Sequence, residues 1–339
     1  VRLVPALFAA CGAVALASGC ASSWVMDTRA PAASPASAQG EHLRLVTTIV
    51  GFREAAASGP GLLLGRGARR LLQPTAVAVD AAGRVAIADT GERCVHLYDP
   101  ARGSYRCLAA ADGEPLISPV GVAFGERGRL FVADSARAKV FAFDPGGEAA
   151  LAIQGAGGRL FQRPTGLAYD AAAKTLYVVD TQAHLVHAIG AGGGEVRAIG
   201  GRGEGAGSFN FPTYAAVGPA GELLVTDAMN FRVQLFDAAG APRAPVGRHG
   251  DGSGDFALPK GVAADGAGVI YVADALFDVV QLFDAEGRFL LSVGGRGEAP
   301  GEFQRPAGLF IAPDDRLYVC DAGNARVQVF QVLRGRAAR

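Results

Sequence analysis

The first thing this sequence lacks is net charge: 32 basic residues offset 32 acidic ones. Nothing in that balance points to nucleic acid or to an acidic partner, and no nucleic-acid binding is expected. Histidine is scarce as well. The five are His42, His96, His184, His187 and His249. His184 and His187 are three apart, so on an extended strand they point to opposite faces and one metal does not easily take both. No metal or other cofactor is expected. The stretch Asp251 to Asp255 looks like a calcium loop but lacks the remaining oxygen ligands and the bidentate Glu. Glycine loops such as Gly200 to Gly203 each lead into a strand rather than a helix N-terminus, which excludes a phosphate cradle. No Ser/His/Asp set stands in a supporting context, so no catalytic residue is assigned.

What is plentiful is glycine, at 48 residues, and apolar side chains, at half of the chain. The glycines punctuate a pattern written six times. Its last copy, Phe303 to Phe330, reads FQRPAGLFIAPDDRLYVCDAGNARVQVF. A loop ends in Pro306, an apolar run and a turn follow, a second run stops at Asp321, and a polar turn leads to a third run. Runs this short, bounded by Gly, Pro and Asp and rich in Val, Ile, Tyr and Phe, predict strands. The loop prolines are Pro74, Pro119, Pro164, Pro212, Pro259 and Pro306, spaced 45, 45, 48, 47 and 47. The strand-ending aspartates are Asp89, Asp134, Asp180, Asp227, Asp274 and Asp321, spaced 45, 46, 47, 47 and 47. Two markers in step at a period near 45, with several strands per period, predict a β-propeller.

The copies resemble the NHL repeat, most closely in LYVCDAGNARVQVF at 317–330 and LLVTDAMNFRVQLFD at 223–237. Those at 176–187 and 270–284 keep the Asp but lose the Asn and Arg, and those at 85–99 and 130–144 also depart. The resemblance covers roughly residues 43–333. It implies an all-β, six-bladed propeller of NHL repeats, each blade running from an inner strand a to an outer strand d. The last copy has no strand d, and Leu43 to Gly51 has no blade of its own. That N-terminal strand is expected to complete the sixth blade, closing the ring and removing exposed edges. NHL propellers include protein-interaction modules, RNA-binding modules and a zinc-dependent lyase, so the resemblance implies a fold and leaves function to the sites.

Residues 1–20 read as a lipoprotein signal peptide. Arg2 is the only charge before the apolar stretch Leu3 to Leu16, which is too short for a comfortable transmembrane helix. Ala17 to Cys20 resembles a bacterial lipobox, which implies lipidation of Cys20; an ordinary cleaved signal peptide is the alternative. Ala21 rather than Asp follows, a pattern that in Gram-negative lipoproteins implies the outer membrane, facing the periplasm or the cell surface. Residues 21–42, rich in Ala, Ser and Pro, read as a flexible tether of roughly 25 Å. Residues 334–339 are a basic tail.

The aspartates have a structural reading: a carboxylate ending strand b accepts N–H bonds from the next turn, with Arg232 and Arg326 placed to pair with it in blades 4 and 6. Phe161, Phe209, Phe256 and Phe303, three residues before the proline, and Leu71 and Leu116 in their place, read as inter-blade packing. His184 falls where many NHL repeats carry a surface histidine. Cys94 and Cys107 flank the turn at Asp99 to Arg102, where a disulfide and two buried thiols are both compatible with the sequence. Cys320 reads as a small core residue.

Three features that the repeat does not explain fall on the face carrying the d–a loops and b–c turns. The loop at 52–73 is long and includes Leu62 to Leu64, Arg66, Arg69 and Arg70. The b–c turns of blades 4 and 5 hold Met229, Phe231, Leu276 and Phe277 where polar residues are usual, which suggests a partner-binding patch. Arg202, Arg248 and Arg296 recur in the loops before blades 4, 5 and 6 as candidate ligand contacts. The favoured function is a lipid-anchored cell-envelope scaffold that binds a protein or an envelope polymer without catalysis. The alternative is a metal-dependent lyase or hydrolase using the central cavity.

Overall fold

A computed structural model describes residues 23–30, 42–55, 68–190 and 192–333. The segment with Cys20, most of the tether, Leu62 to Leu64, Arg66 and the basic tail lie outside the described residues. Six antiparallel blades form a closed ring, in which each inner strand contacts the next and the sixth contacts the first. The inner strands are Pro74–Val79, Pro119–Phe124, Pro164–Asp170, Pro212–Val217, Pro259–Ala264 and Pro306–Ile311. Each opens on its loop proline, which has no N–H to give to a ladder and so suits a first position. The pairing with strand b slips just after that proline in every blade. Every repeating aspartate ends a strand b, as the spacing predicts.

Leu43–Glu54 closes the ring. It runs antiparallel to Arg326–Val332, with Leu43 opposite Val332 and Ile49 opposite Val327. The strand continues past Gly51, and Phe52, fully buried, stacks on Tyr105 at 4.8 Å and on His96 at 5.4 Å in blade 1. Ala68–Arg70 then folds back on Gly51 to Arg53, so the long loop begins and ends as a hairpin. The other blade junctions are apolar in the same manner. Phe209, Phe256 and Phe303 are wholly buried against Phe236, Phe283 and Phe330 of the following strand c, at 5.6–6.0 Å. Each such ring contributes about 2–3 kcal/mol by burial. Cys94 and Cys107 form a disulfide within blade 1, with Cα atoms 5.8 Å apart.

Two elements differ from expectation. Trp24–Arg29, inside the segment read as a coil, is a strand paired with Leu43–Glu54 and makes a fifth, outermost strand of blade 6. The Ala/Ser/Pro composition describes the residues after it; WVMDTR itself contains an aromatic and β-branched residues, which favour strands. Trp24 packs at a tilt against Tyr105, ring centroids 4.6 Å apart, and donates its backbone N–H to the Gly103 carbonyl, tying blade 6 to blade 1. Blade 4 has no regular fourth strand among the described residues. Pro242 and Pro245 interrupt that segment, and only isolated bridges from Val233 to Val246 and from Phe236 to Pro242 remain.

Candidate functional site: the loop face and the axial channel

On one face of the ring every b–c turn is hydrogen-bonded to the neighbouring d–a loop, for example Ser135 N–H to Ser118 O and Ala275 N–H to Leu258 O. The six aspartates fasten this junction, and all six are completely buried. In blades 1, 2, 3 and 5 the carboxylate accepts two consecutive loop amides: Leu72 and Gln73 at Asp89, Ile117 and Ser118 at Asp134, Gln162 and Arg163 at Asp180, Ala257 and Leu258 at Asp274. In blades 4 and 6 it accepts one loop amide, and side chains supply the rest. Asp321 receives Gln304 N–H at 2.7 Å, Asn324 Nδ2 at 2.9 Å, Arg326 Nε at 2.7 Å and Gln328 Nε2 at 3.2 Å. Asp227 has the same set in Asn210, Asn230, Arg232 and Gln234. The fourth residue after each aspartate adopts a left-handed backbone, and none of the six is glycine.

The histidines join this framework. His96 and His187 occupy the strand-c place that Gln234, Gln281 and Gln328 hold elsewhere, and both are buried. His96 Nδ1 bonds Tyr105 Oη at 2.8 Å and His187 Nδ1 bonds Glu195 Oε1 at 2.6 Å. Their Nε2 atoms lie 3.6 and 4.0 Å from Asp89 and Asp180. His184 is buried rather than on the surface, because Phe211 covers it and its Nδ1 lies 3.2 Å from both Phe209 O and Phe211 N. Among the described residues, no three His, Cys, Asp or Glu side chains come together as metal ligands.

Of the apolar turn residues, Met229 and Leu276 stand at equivalent places, two after their aspartates, and are 51% and 64% exposed. Phe231 and Phe277 are half-buried and one place out of register with each other. Phe231 holds the left-handed position and lies over His249, ring centroids 4.2 Å apart. Beside them Phe211 and Leu258, each just before a loop proline, are also exposed. The three arginines are not one set. Arg202 and Arg296 bridge in parallel to the loop phenylalanines seven residues on, and in the loop before blade 5 that place belongs to His249. Arg248 sits one residue early and pairs with Asp255 at 2.9 Å.

The axial channel holds what the sequence reading passed over. The second residue after each loop proline faces the neighbouring inner strand. It is glycine at 121, 166, 261 and 308, where a Cβ would strike the backbone of the next blade. Blade 1 has Ala76 and blade 4 has Tyr214. The Tyr214 side chain crosses the axis and donates its hydroxyl to Thr75 O of the opposite blade at 3.2 Å, and burial pushes its pKa up. From Tyr214 to the a–b turns runs a cavity of about 630 Å³, apolar along Val122, Leu167, Val262 and Leu309. Three of its four carboxylates pair with named side chains: Asp80 with Arg84 at 2.7 Å, Glu126 with Lys174 at 3.0 Å and Asp265 with Tyr271 Oη at 3.0 Å; the fourth is Asp315. On the other side of Tyr214, at the loop-face mouth, stands Lys260, the residue after Pro259. Burial lowers its pKa, and the nearby Arg163 charge lowers it further. An alignment of the six repeats on their prolines would have exposed both residues as the odd members of their columns.

A family model of the NHL repeat matches residues 303–330. No curated protein matches the sequence. Among solved structures, the chain is similar to a catalytically inactive virginiamycin B lyase from Staphylococcus aureus bound to quinupristin, with a TM-score of 0.58 and 12% identity over 78% of this chain and 85% of that one. It is similar to a streptogramin B lyase, at 0.59 and 9% over 86% and 98%. It is also similar to a gluconolactonase from Xanthomonas campestris, at 0.62 and 17% over 91% and 96%. At such identities the likeness is one of fold. The matched repeat, its five further copies in step and the closed six-bladed ring make this chain an NHL-repeat β-propeller.

Proposed function

We propose that this propeller is a lipid-anchored protein of the cell envelope whose loop face binds a protein partner without chemistry of its own. The observation that carries the reading is the exposure of Phe211, Met229, Leu258 and Leu276 on the loops and turns of two adjacent blades. Backbone bonds join the segments that bear them, Met229 N–H to Asn210 O and Ala275 N–H to Leu258 O. Exposed apolar side chains clustered on a rigid scaffold suit a protein partner better than a hydrated polymer. The Cys94–Cys107 disulfide accords with an oxidising compartment. A lipid on Cys20 would lie only four residues from Trp24, at most about 14 Å of chain, so the joint of blades 6 and 1 would rest near the membrane.

The test is a photo-crosslinking amino acid placed at Leu276 in cells, with Leu290 as the control, an exposed residue on strand d of the same blade. A discrete adduct from position 276 and none from 290 is expected. Absence of any adduct from 229, 258 and 276 would discard the reading. The cavity below Tyr214 supports a second one, since its volume falls in the range of small-molecule pockets and similar folds include a streptogramin B lyase and a gluconolactonase. Turnover of a lactone or a streptogramin by the purified chain with added divalent cation would establish that alternative.

A further inference from the structure

The cavity in the axial channel is blind and lopsided. Tyr214 closes it toward the loop face, its side chain reaching across the axis to Thr75 O, and it opens among the a–b turns at the other end. The third residue after the loop proline is Val77, Val122, Leu167, Val262 or Leu309 in five blades, and Ala215 in blade 4. The smaller side chain leaves a recess against blade 4. Tyr214 to Val217 are only half-buried there, whereas the matching residues of blade 1, Ala76 to Val79, are all buried. Apolar atoms that face open space inside the ring gain by burial when a molecule enters.

A second observation concerns charge. Four carboxylates and no Lys, Arg or His line the cavity. The two cations beside its mouth are committed, Arg84 to Asp80, Pro145 O and Gly128 O, and Lys174 to Glu126. Asp80 also accepts the amides of Ala82 and Arg84, and Asp265 accepts those of Ala267 and Val269 besides the Tyr271 hydroxyl. An anionic ligand would therefore enter without a counter-charge, and an ammonium would find these two carboxylates already filled.

We propose that the recess between Tyr214 and the a–b turns binds an uncharged, largely apolar small molecule with an aromatic or fused-ring body. A cavity of about 630 Å³ suits a ligand of drug-like size, and the Tyr214 ring at its floor suits a ring packed against it. The ligand enters from the a–b face, so it does not compete with a protein held on the loop face. This inference rests on the same cavity as the enzyme reading but needs no turnover: binding without conversion upholds it while that reading fails on its own assay.

The experiment is titration of the full chain into 1-pyrenemethanol, followed by pyrene fluorescence. Saturable binding at one site is expected. 1-Pyrenecarboxylate should bind about tenfold more weakly, and 1-pyrenemethylammonium no more tightly than the alcohol. Ala215→Leu places in the recess the side chain that Leu167 and Leu309 supply in blades 3 and 6, and should weaken binding by about tenfold at unchanged Tm. Ala264→Phe, where blades 2 and 3 carry Phe124 and Tyr169, narrows the cavity and should also weaken binding. No saturable binding overturns the proposal, as does a carboxylate that binds as well as the alcohol, an ammonium that binds better, or affinity unchanged in both variants. Loss of binding in Leu276→Ser with Ala215→Leu unaffected would place the dye on the loop face and overturn it too. Should Ala215→Leu not fold, Ala264→Phe alone decides.

Discussion

Blades 4 and 6 and blades 1, 2, 3 and 5 solve one problem in two ways. In all six a fully buried carboxylate must be satisfied where a loop meets a turn. Four blades do it with two successive loop amides, which any residue but proline can supply. The other two begin the b–c turn with a short 3-10 turn, Ala228–Asn230 or Ala322–Asn324, bring one loop amide within reach, and fill the remaining places with Asn, Arg and Gln side chains. The sequence signature of the repeat therefore appears where the side chains are needed and fades where the backbone replaces them. The family match at 303–330 lies on a side-chain junction for that reason.

The largest test of this difference is loss of the carboxylate itself. Asp321→Ala would strand Arg326, whose side chain is only 12% exposed, and should cost about 4 kcal/mol, as for breaking a buried ion pair. Asp134→Ala strands the amides of Ile117, Ser118 and Arg137 and no charge, and should cost about 2–3 kcal/mol. Chemical denaturation of both variants measures the gap; equal losses would mean that the two junctions are energetically the same. A smaller effect is expected for Asn324→Ala, which removes bonds to Asp321 and to Gly297 O and should cost about 1–2 kcal/mol.

The smallest effect is on the acid limb of stability. Burial works to raise the Asp89 pKa, but His96 and the amides of Leu72, Gln73 and Glu92 outweigh it and hold the carboxyl below its usual 3.8. A folded pKa below the unfolded one gives stability that is full above that value and is lost as pH falls through the folded pKa. Asp89→Asn should therefore be less stable than wild type at pH 7 and lose less stability between about pH 5 and pH 2. Parallel acid limbs in urea unfolding series would show that the amide junction carries no such linkage.

The closed ring was legible because prolines and aspartates recur with the period of the blade, and each marks a backbone requirement. Tyr214 and Lys260 were not, since attention to what recurs passes over the one column member that differs. Trp24–Arg29 was hidden by the Ala- and Ser-rich residues that follow it. The arginine series failed through register: Arg248 looks equivalent when counted from the glycine, but the bridge to Phe256 shows that His249 holds the place. The exposed pair Met229 and Leu276 was readable as apolar residues in a polar turn, while the cover that His249 gives Phe231 depends on a loop the sequence does not position.

The sixth blade also sets a timetable. Leu43–Glu54 finds its partner in Arg326–Val332, the last strand of the ring in chain order among the described residues. Five blades are assembled from neighbouring stretches of chain, but this joint closes a loop of nearly the whole propeller, and such distant pairing slows folding. Until it forms, strand c of blade 6 and the N-terminal strand each present an open edge to other chains. A nascent chain thus carries an unpaired edge on Leu43–Glu54 until Arg326–Val332 has emerged.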